Sequence, residues 1–230
     1  NALWQMDFKG HFPTHRTRCH PLTVLDDHSR FCIALRACAN ERSSTVKACL
    51  TEVFSRYGLP ERMLMDNGAP WGSDARHTLT CFTVWLIRLG IRVSHIRPYR
   101  PQTQGKDERF HRSLNQELLQ HHPRFENLTH CQRRFDPWRD SYNFERPHEA
   151  LNMQVPAQRY QPSPRTFNAA LPPIEYLLED QVRIVQRRGE ISFQGRTLRI
   201  GKALFGEPVA LRPTTMDGRW QVYFCHHPDD

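Results

Sequence analysis

The sequence predicts an α/β domain, a mixed five-stranded sheet flanked by helices, followed by a small all-β domain. Three observations predict it. Three strand-like runs come first, helix-period and strand-period segments then alternate, and after residue 151 prolines give way to closely spaced short strands. Residues 3 to 8 alternate, with Leu3, Gln5 and Asp7 on one face and Trp4, Met6 and Phe8 on the other. Residues 20 to 26 and 31 to 37 are two further β runs, joined by the hairpin turn Asp26-Asp27-His28-Ser29-Arg30. A helix is predicted from about Ser44 to Tyr57, with Ser43 or Ser44 as N-cap, an apolar stripe through Val46, Leu50, Val53, Phe54 and Tyr57, and Gly58 and Pro60 as its stop. A strand at 62 to 66 follows. In this order Asp66 falls at the carboxyl end of a strand parallel to the first, the edge where open α/β sheets bind ligands.

A second helix is predicted from Ser73 or Asp74 to Leu89, and a fifth strand from Ile91 to Ile96. Pro98, Pro101 and Gly105 mark an irregular stretch. The helix beginning near Lys106 carries Glu108, Arg109, Arg112, Asn115 and Gln116, with Phe110, Leu114 and Leu118 as its apolar side. Residues 128 to 135 and 138 to 144 read as helical, with Asp136-Pro137 as an N-cap and N1 pair that breaks or restarts the helix. Prolines 156, 162, 164, 172 and 173 then predict a linker that wraps over the first domain, giving a core at 1–151, a linker at 152–174 and a small domain at 175–230. In that last part strands are expected near 181–187, 190–193, 196–200, 207–213 and 219–225, with Gly189, Gly195 and Asp217-Gly218 as turns, which suits a small barrel.

Composition narrows the function. The chain of 230 residues carries 32 Lys plus Arg against 24 Asp plus Glu, a net charge of +8, and the excess is mostly arginine, which forks onto phosphate. Arg183, Arg187, Arg188 and Arg199 belong to an arginine-rich set in the small domain that suggests DNA contact. Seven cysteines without a CxxC pair, no signal peptide and no apolar run of membrane-spanning length point to reduced thiols in the cytoplasm, and away from a disulfide scaffold or a membrane protein. The 13 histidines and the cysteines show no zinc-finger spacing, and no nucleophile-elbow glycine pattern supports a serine hydrolase. The start at Asn1, directly in a strand, reads as a fragment lacking its N-terminal part.

Three segments set a carboxylate where phosphoryl transfer would use it: WQMDFKG with Asp7, MLMDNGAPWG with Asp66 and QGKDERFHRSLNQEL with Glu108. Two acids ride on strands and one on a helix, so a compact fold can gather them around magnesium, which takes few carboxylates and shares its shell with substrate phosphates. Singly, each has a plainer reading: a strand Asp is more often at the surface, and Glu108 with Arg112 can be a solvated helix pair. Asp26 and Asp27 read as hairpin residues. Trp138, Tyr142 and Phe144 read as core, and Glu145, Arg146, His148 and Glu149 as groups fixing a helix end.

Asp7, Asp66-Asn67-Gly68, the run GKDERFHRSLNQEL at 105 to 118, WRDSYNFERPHEAL at 138 to 151 and Pro156, in that order, resemble the catalytic core of bacterial insertion-sequence transposases of the retroviral-integrase type. The resemblance spans roughly residues 4 to 160. It implies an RNase H-like core and a small SH3-like barrel. It also implies a catalytic and metal-binding triad of Asp7, Asp66 and Glu108, and two Mg²⁺ (or Mn²⁺) ions for cutting a DNA end and joining its 3′-OH to another strand. A DNA-bound homo-oligomer, at least a dimer, associated with the nucleoid follows from the same likeness. The interval from Asp66 to Glu108 is somewhat longer than in well-known integrases, and Asp107 is a rival to Glu108. Glu108 is preferred because the family pattern sets Glu directly before Arg and four residues ahead of the next Arg. Lys106, Arg109 and Arg112 are the candidate phosphate holders, and Asn67 and Gly68 shape the turn beside Asp66. Alternatives are a stand-alone metal-dependent nuclease, which would not join strands, a catalytically inactive DNA-binding relative, and a basic scaffold.

Overall fold

The computed structural model describes residues 2–72, 79–95, 105–121, 124–216, 218–225 and 227–228. The chain forms two compact units, Asn1–Trp71 with Ile91–Ala169, and Gly72–Gly90 with Ala170–Asp230.

The sheet of the first unit follows from one long buried strand. Strand β3 (Arg18–Asp26) is flanked by antiparallel β1 (Leu3–Phe8) and β4 (Cys32–Cys38), and the two-residue β2 (Phe12–Pro13) pairs with its beginning. β5 (Arg62–Met65) lies parallel to β1, and β6 (Arg92–His95) parallel to β5. The order β4-β3-β1-β5-β6 gives the mixed five-stranded sheet, with β2 as an addition. Helix α1 (Ser43–Tyr57) buries the predicted Val46, Leu50, Val53 and Phe54. Its N-cap differs from expectation. Arg42 occupies it without a side-chain cap, and the Asn40 side-chain oxygen instead accepts from the Arg42 N–H and the Thr45 hydroxyl. At the other end Gly58 has φ of 77°, and a Cβ there would meet the Ser163 and Arg165 carbonyls at 2.7 Å, so only glycine fits the crossing. The proline-rich stretch as far as Ala169 accordingly packs on this unit, with Tyr160 stacked on Phe31 at 4.2 Å.

Helix α3 (Gly105–Leu114) continues as a π-helical turn to Leu119, and α4 runs unbroken from Leu128 to Phe144. Phe110, Leu114, Leu118, Cys131, Phe135 and Tyr142 from these helices close a core with Cys19, Leu25, Cys32 and Leu35 of the sheet. The expected break at Asp136-Pro137 does not occur: Pro137 lies inside α4. A mid-helix proline costs about 3 kcal/mol. The buried Cys131, Phe135, Tyr142 and Asn143 lie on both sides of it, and burying apolar side chains at roughly 1.5–3 kcal/mol each outweighs that cost. Two amides add to it. Gln132 accepts from the Ala37 N–H and donates to the Leu35 carbonyl, while Asn143 accepts from the Cys32 N–H and donates to the Cys32 carbonyl. Together they satisfy the open edge of β4, where unpaired buried backbone groups would otherwise be expensive.

In the second unit, α2 (Cys81–Arg88) is capped by Thr80, whose hydroxyl accepts from the Thr83 N–H at 3.2 Å. Residues 73–78, where the helix was expected to start, lie outside the described residues, as do Ile96, Pro98, Pro101 and Asp217. Strands β7 (Gln181–Ile184), β10 (Pro208–Pro213), β11 (Trp220–Phe224) and β12 (His227–Pro228) form an antiparallel sheet of order β12-β11-β10-β7. A hairpin of β8 (Glu190–Phe193) and β9 (Arg196–Arg199) accompanies it. Val185, Ile191, Phe193, Leu204, Val209, Leu211 and Phe224 are among the buried apolar residues of this unit. Arg88 joins α2 to this unit by an ion pair with Glu207 at 2.5 Å and a bond to the Pro172 carbonyl at 2.7 Å.

Candidate active site

Strand register sets the first two carboxylates. β1 and β5 pair in parallel as Leu3↔Arg62, Trp4↔Met63 and Gln5↔Leu64. Continuing that register by two residues sets Asp7 opposite Asp66 at the carboxyl ends of both strands, and paired residues of parallel strands share a face. Electrostatics agree: the Asp7 carboxyl is pushed up to about 6, first by burial and then by the charge of Asp66, against a pull from the Phe8 N–H. Asp66 is also raised by burial, with the Gly68 N–H and His95 opposing.

The turn after β5 is built around Asp66. The Gly68 N–H donates to Asp66 Oδ1 at 3.0 Å, and a Cβ on Gly68 would lie 3.2 Å from Asp66 Oδ2. The expected role of Gly68 thus has a physical basis in close approach to the carboxylate. Trp71, buried, donates its N–H to the Gly68 carbonyl and stacks on Phe8 at 5.6 Å, folding the turn back onto the strand that holds Asp7. His95 of β6 donates Nδ1–H to the Asp66 carbonyl at 2.8 Å and pins the same turn from its other side.

Helix phase sets the third position. His111 of α3 and Asn115 of the π-helical turn that continues it lie along β1, with His111 Nδ1 4.0 Å from Asp7 Oδ2 and Asn115 Oδ1 accepting from Lys9 Nζ at 3.3 Å. His111 is neutral at pH 7, because burial and then Lys9 push it down to about 4, so the 4.0 Å approach is no ion pair. The Thr23 hydroxyl donates to the Asp7 carbonyl and so accepts from His111 Nε2 at 2.9 Å, leaving the Nδ1 lone pair toward Asp7. Glu108 sits one turn before His111 on this face and is exposed. Asp107 is only 6% exposed and is pushed up to about 7 by burial, then by Asp7 and Asp27. One helical position is a rotation of about 100°, so the two neighbours serve different surroundings. Among the described residues no three His, Cys, Asp or Glu side chains stand close enough to hold a metal. Asp7 and Asp66 are therefore brought together, while Glu108 shares the helix face beside Asp7 without joining them in a ligating group.

The expected phosphate holders divide. Lys106 is engaged with Asp27 at 2.5 Å, whereas Arg109 and Arg112 are exposed. Arg187, Arg188 and Arg199 are exposed in the second unit, and Arg183 lies over the Phe193 ring. Asp26 is a hairpin residue as expected, accepting from the Ser29 N–H and hydroxyl. His111 and Thr23, which orient β1 at Asp7, are not singled out by the sequence; the i, i+3 spacing from Glu108 is the available signal.

Comparison with known proteins places these elements. Integrase core domain families match residues 1–101 and 89–156, and the IS481 family transposase C-terminal domain matches residues 180–228. An IS407 insertion-element protein of Burkholderia multivorans is 26% identical over 69% of this chain and 54% of its own length. An IS476 protein of Xanthomonas euvesicatoria is 28% identical over 69% and 44%. The chain thus spans about half the length of these curated relatives. Among solved structures, the catalytic core of the HTLV-2 integrase in complex with magnesium matches 69% of this chain and 95% of that one, with a TM-score of 0.51 at 17% identity. The BIV integrase core matches 69% and 93%, with a TM-score of 0.52 at 23% identity. A simian T-cell lymphotropic virus intasome chain matches all of this chain and 78% of its own, with a TM-score of 0.56 at 18% identity. The sheet of the first unit is that of integrase catalytic cores, an RNase H-like fold.

Proposed function

We propose that this chain, which belongs to the integrase-core transposases of insertion sequences, is a DNA strand transferase using Asp7, Asp66 and Glu108. The observation that carries the reading is the placement of Asp7 and Asp66 at neighbouring parallel strand ends, where burial and then the Asp66 charge push Asp7 up to about 6. Two carboxylates held at such a cost suit a hard divalent cation, and their all-oxygen donor set fits Mg²⁺ or Mn²⁺. When bound, a pair of such ions supplies Lewis acidity at the phosphate and activates the attacking water or 3′-OH.

The remaining roles fall to the protein. Glu108 completes the set by swinging its exposed side chain along the face that His111 and Asn115 hold against β1. Neutral His111 and Thr23 fix the strand at Asp7 and add no competing charge. Gly68 and Trp71 keep the Asp66 carboxylate facing the same place. Lys106, Arg109 and Arg112 hold phosphates around it, and Arg183, Arg187, Arg188 and Arg199 contact DNA from the second unit. We assign residues 1–151 to catalysis and 175–230 to DNA contact. Action on two DNA ends as at least a dimer in the cytoplasm, at the nucleoid, accords with the intasome likeness and with insertion-element relatives from bacteria. No described helix is long and apolar enough to cross a membrane.

The test is incubation of a labelled branched DNA, the shape of a strand-transfer product, with Mg²⁺ or Mn²⁺ and this chain, Glu108→Gln or Asp107→Asn. Metal-dependent rejoined strands are expected, lost by on the order of a hundredfold or more in Glu108→Gln and retained in Asp107→Asn. Retention in Glu108→Gln with loss in Asp107→Asn would move the third role to Asp107. Nicking without rejoining would make the protein a nuclease.

A further inference from the structure

The segment from Tyr142 to Ala150 contributes nothing to the carboxylate site, yet it forms one wall of a cleft of about 460 Å³ whose other wall is the start of α3. Arg30, from the β3–β4 turn, also lines it. The lining is lopsided in charge: Arg30, Lys106, Arg109 and Arg146 against the single acid Glu149. Two cations are engaged, Lys106 with Asp27 and Arg146 with Glu117. The side chains of Arg30 and Arg109 make no ion pair or hydrogen bond among the described residues.

Two further observations single out the same place. His148 lines the cleft with Nε2 buried and without a hydrogen-bond partner. Burial and then Arg146 hold its ring below the usual imidazole range, against a hydrogen bond to the Tyr142 backbone, with Arg30 and Arg109 adding to the depression. Arg30 also has φ of 63°, a left-handed conformation that glycine and asparagine adopt far more readily than arginine. Buried Phe110 and Tyr142 line the same cleft, and an apolar floor strengthens any charge interaction above it.

We propose that this cleft, on the flank of α3 away from His111 and Asn115, is a phosphodiester subsite that holds the backbone of a DNA strand, with Arg30 and Arg109 as its two unengaged forks. Arg146 joins them by exchanging the Glu117 carboxylate for a phosphate, and His148, on taking up a proton, donates from Nε2 to the same anion. The choice of DNA as the source of the phosphate rests on the strand-transferase reading. Arginine forks suit phosphate oxygens bidentately, and two or more at one cleft fix the register of a strand without reading its sequence.

The experiment measures binding of a fluorescent duplex to the whole chain in EDTA, over a salt range of about 50 to 200 mM. It compares wild type, Arg30→Asn, Arg109→Gln, the double variant and the charge-matched control Arg56→Gln on α1. Asparagine suits the left-handed position, and thermal melting verifies that each variant is folded. Each cleft substitution is expected to weaken binding several-fold, and the double variant to flatten the log–log salt slope by about 1 to 2 relative to the control. A double variant matching Arg56→Gln in affinity and slope would overturn the cleft alone. Failure of the wild type to bind any duplex would overturn the strand-transferase reading with it. Calorimetric binding of inorganic phosphate that the double variant loses, with DNA affinity unchanged, would mark a free-phosphate site and overturn the assignment to DNA.

Discussion

The two strand-borne carboxylates and the two helix-borne ones differ in what fixes them. Asp7 and Asp66 are set by backbone pairing between β1 and β5, and a turn tied by Gly68, Trp71 and His95 leaves them little freedom. Asp107 and Glu108 are set by helix phase, which divides neighbours: one is buried with its charge disfavoured, the other exposed with its side chain free to move. On the proposed reading, half of the site is rigid before anything binds, and the other half is supplied by a side chain that must be drawn in. A rigid pair of like charges is costly while empty and rewarding when a cation arrives. A mobile third carboxylate avoids adding a third buried charge to that cost.

The sharpest way to break this comparison is to neutralise the rigid half. Asp7→Asn and Asp66→Asn are each expected to lower strand joining on the order of a hundredfold to a thousandfold, and the double variant to lose no more than either single one, because they act as a unit. Stability should move the other way. With Asp66 neutral, Asp7 loses the charge that is the second cause of its raised pKa, so Asp66→Asn is expected to melt at or above the wild-type temperature. A joining rate close to wild type in either single variant, or additive losses in the double, would show that the strand-end pair is not the catalytic unit.

The legible parts of the molecule share one property: the information for them is local or nearly so. Alternation sets Asp7 on a strand face, the Gly58–Pro60 stop and the strand after it set Asp66 at a parallel edge, and helix phase separates Glu108 from Asp107. What escapes reading depends on partners far away in the chain. Gln132 and Asn143 complete the β4 edge across 95 or more residues, which is why α4 continues through Pro137 where local signals predict a break. Thr23 and His111 meet across 88 residues. Arg30 and Arg146 line one cleft although local signals assign one to a hairpin turn and the other to a helix end. The start of α1 escapes for a smaller reason, since Arg42 takes the N-cap position without a side-chain cap and Asn40 instead ties the Arg42 N–H and the Thr45 hydroxyl.

The helix-borne half yields a stability prediction for its buried member. The Asp107 carboxyl is pushed from its ordinary 3.8 to about 7, so the folded protein holds a proton there that the unfolded chain releases. Its penalty on stability is absent below about pH 4, grows between about pH 4 and 7, and stays constant above. Asp107→Asn is therefore expected to be more stable than wild type at neutral pH, by up to a few kcal/mol, since each tenfold change in proton affinity is worth about 1.4 kcal/mol. That advantage should shrink toward zero as the pH falls to about 4. Denaturant melts of both proteins from about pH 4 to 8 give the comparison. A stability difference independent of pH would mean that Asp107 is not a buried, half-protonated acid, and would weaken the case for Glu108 as the free member of the pair.

The smallest expected effect tests how tightly the rigid half is held. Glycine is commonly present in a turn for its backbone freedom, but Gly68 is also close to the Asp66 carboxylate, with its N–H on Oδ1 and its missing Cβ 3.2 Å from Oδ2. A methyl group there must displace the carboxylate by a few tenths of an ångström or lengthen the N–H bond that favours its charged form. Gly68→Ala should change stability by no more than about 1 kcal/mol, since the turn is exposed and its other anchor, Trp71, remains. Mn²⁺ affinity and joining rate should each fall several-fold, because small misplacement of a catalytic group is felt strongly in the transition state. Equal Mn²⁺ affinity in Gly68→Ala and wild type would reduce Gly68 to a turn former and leave the Asp66 carboxylate freer than the strand register implies.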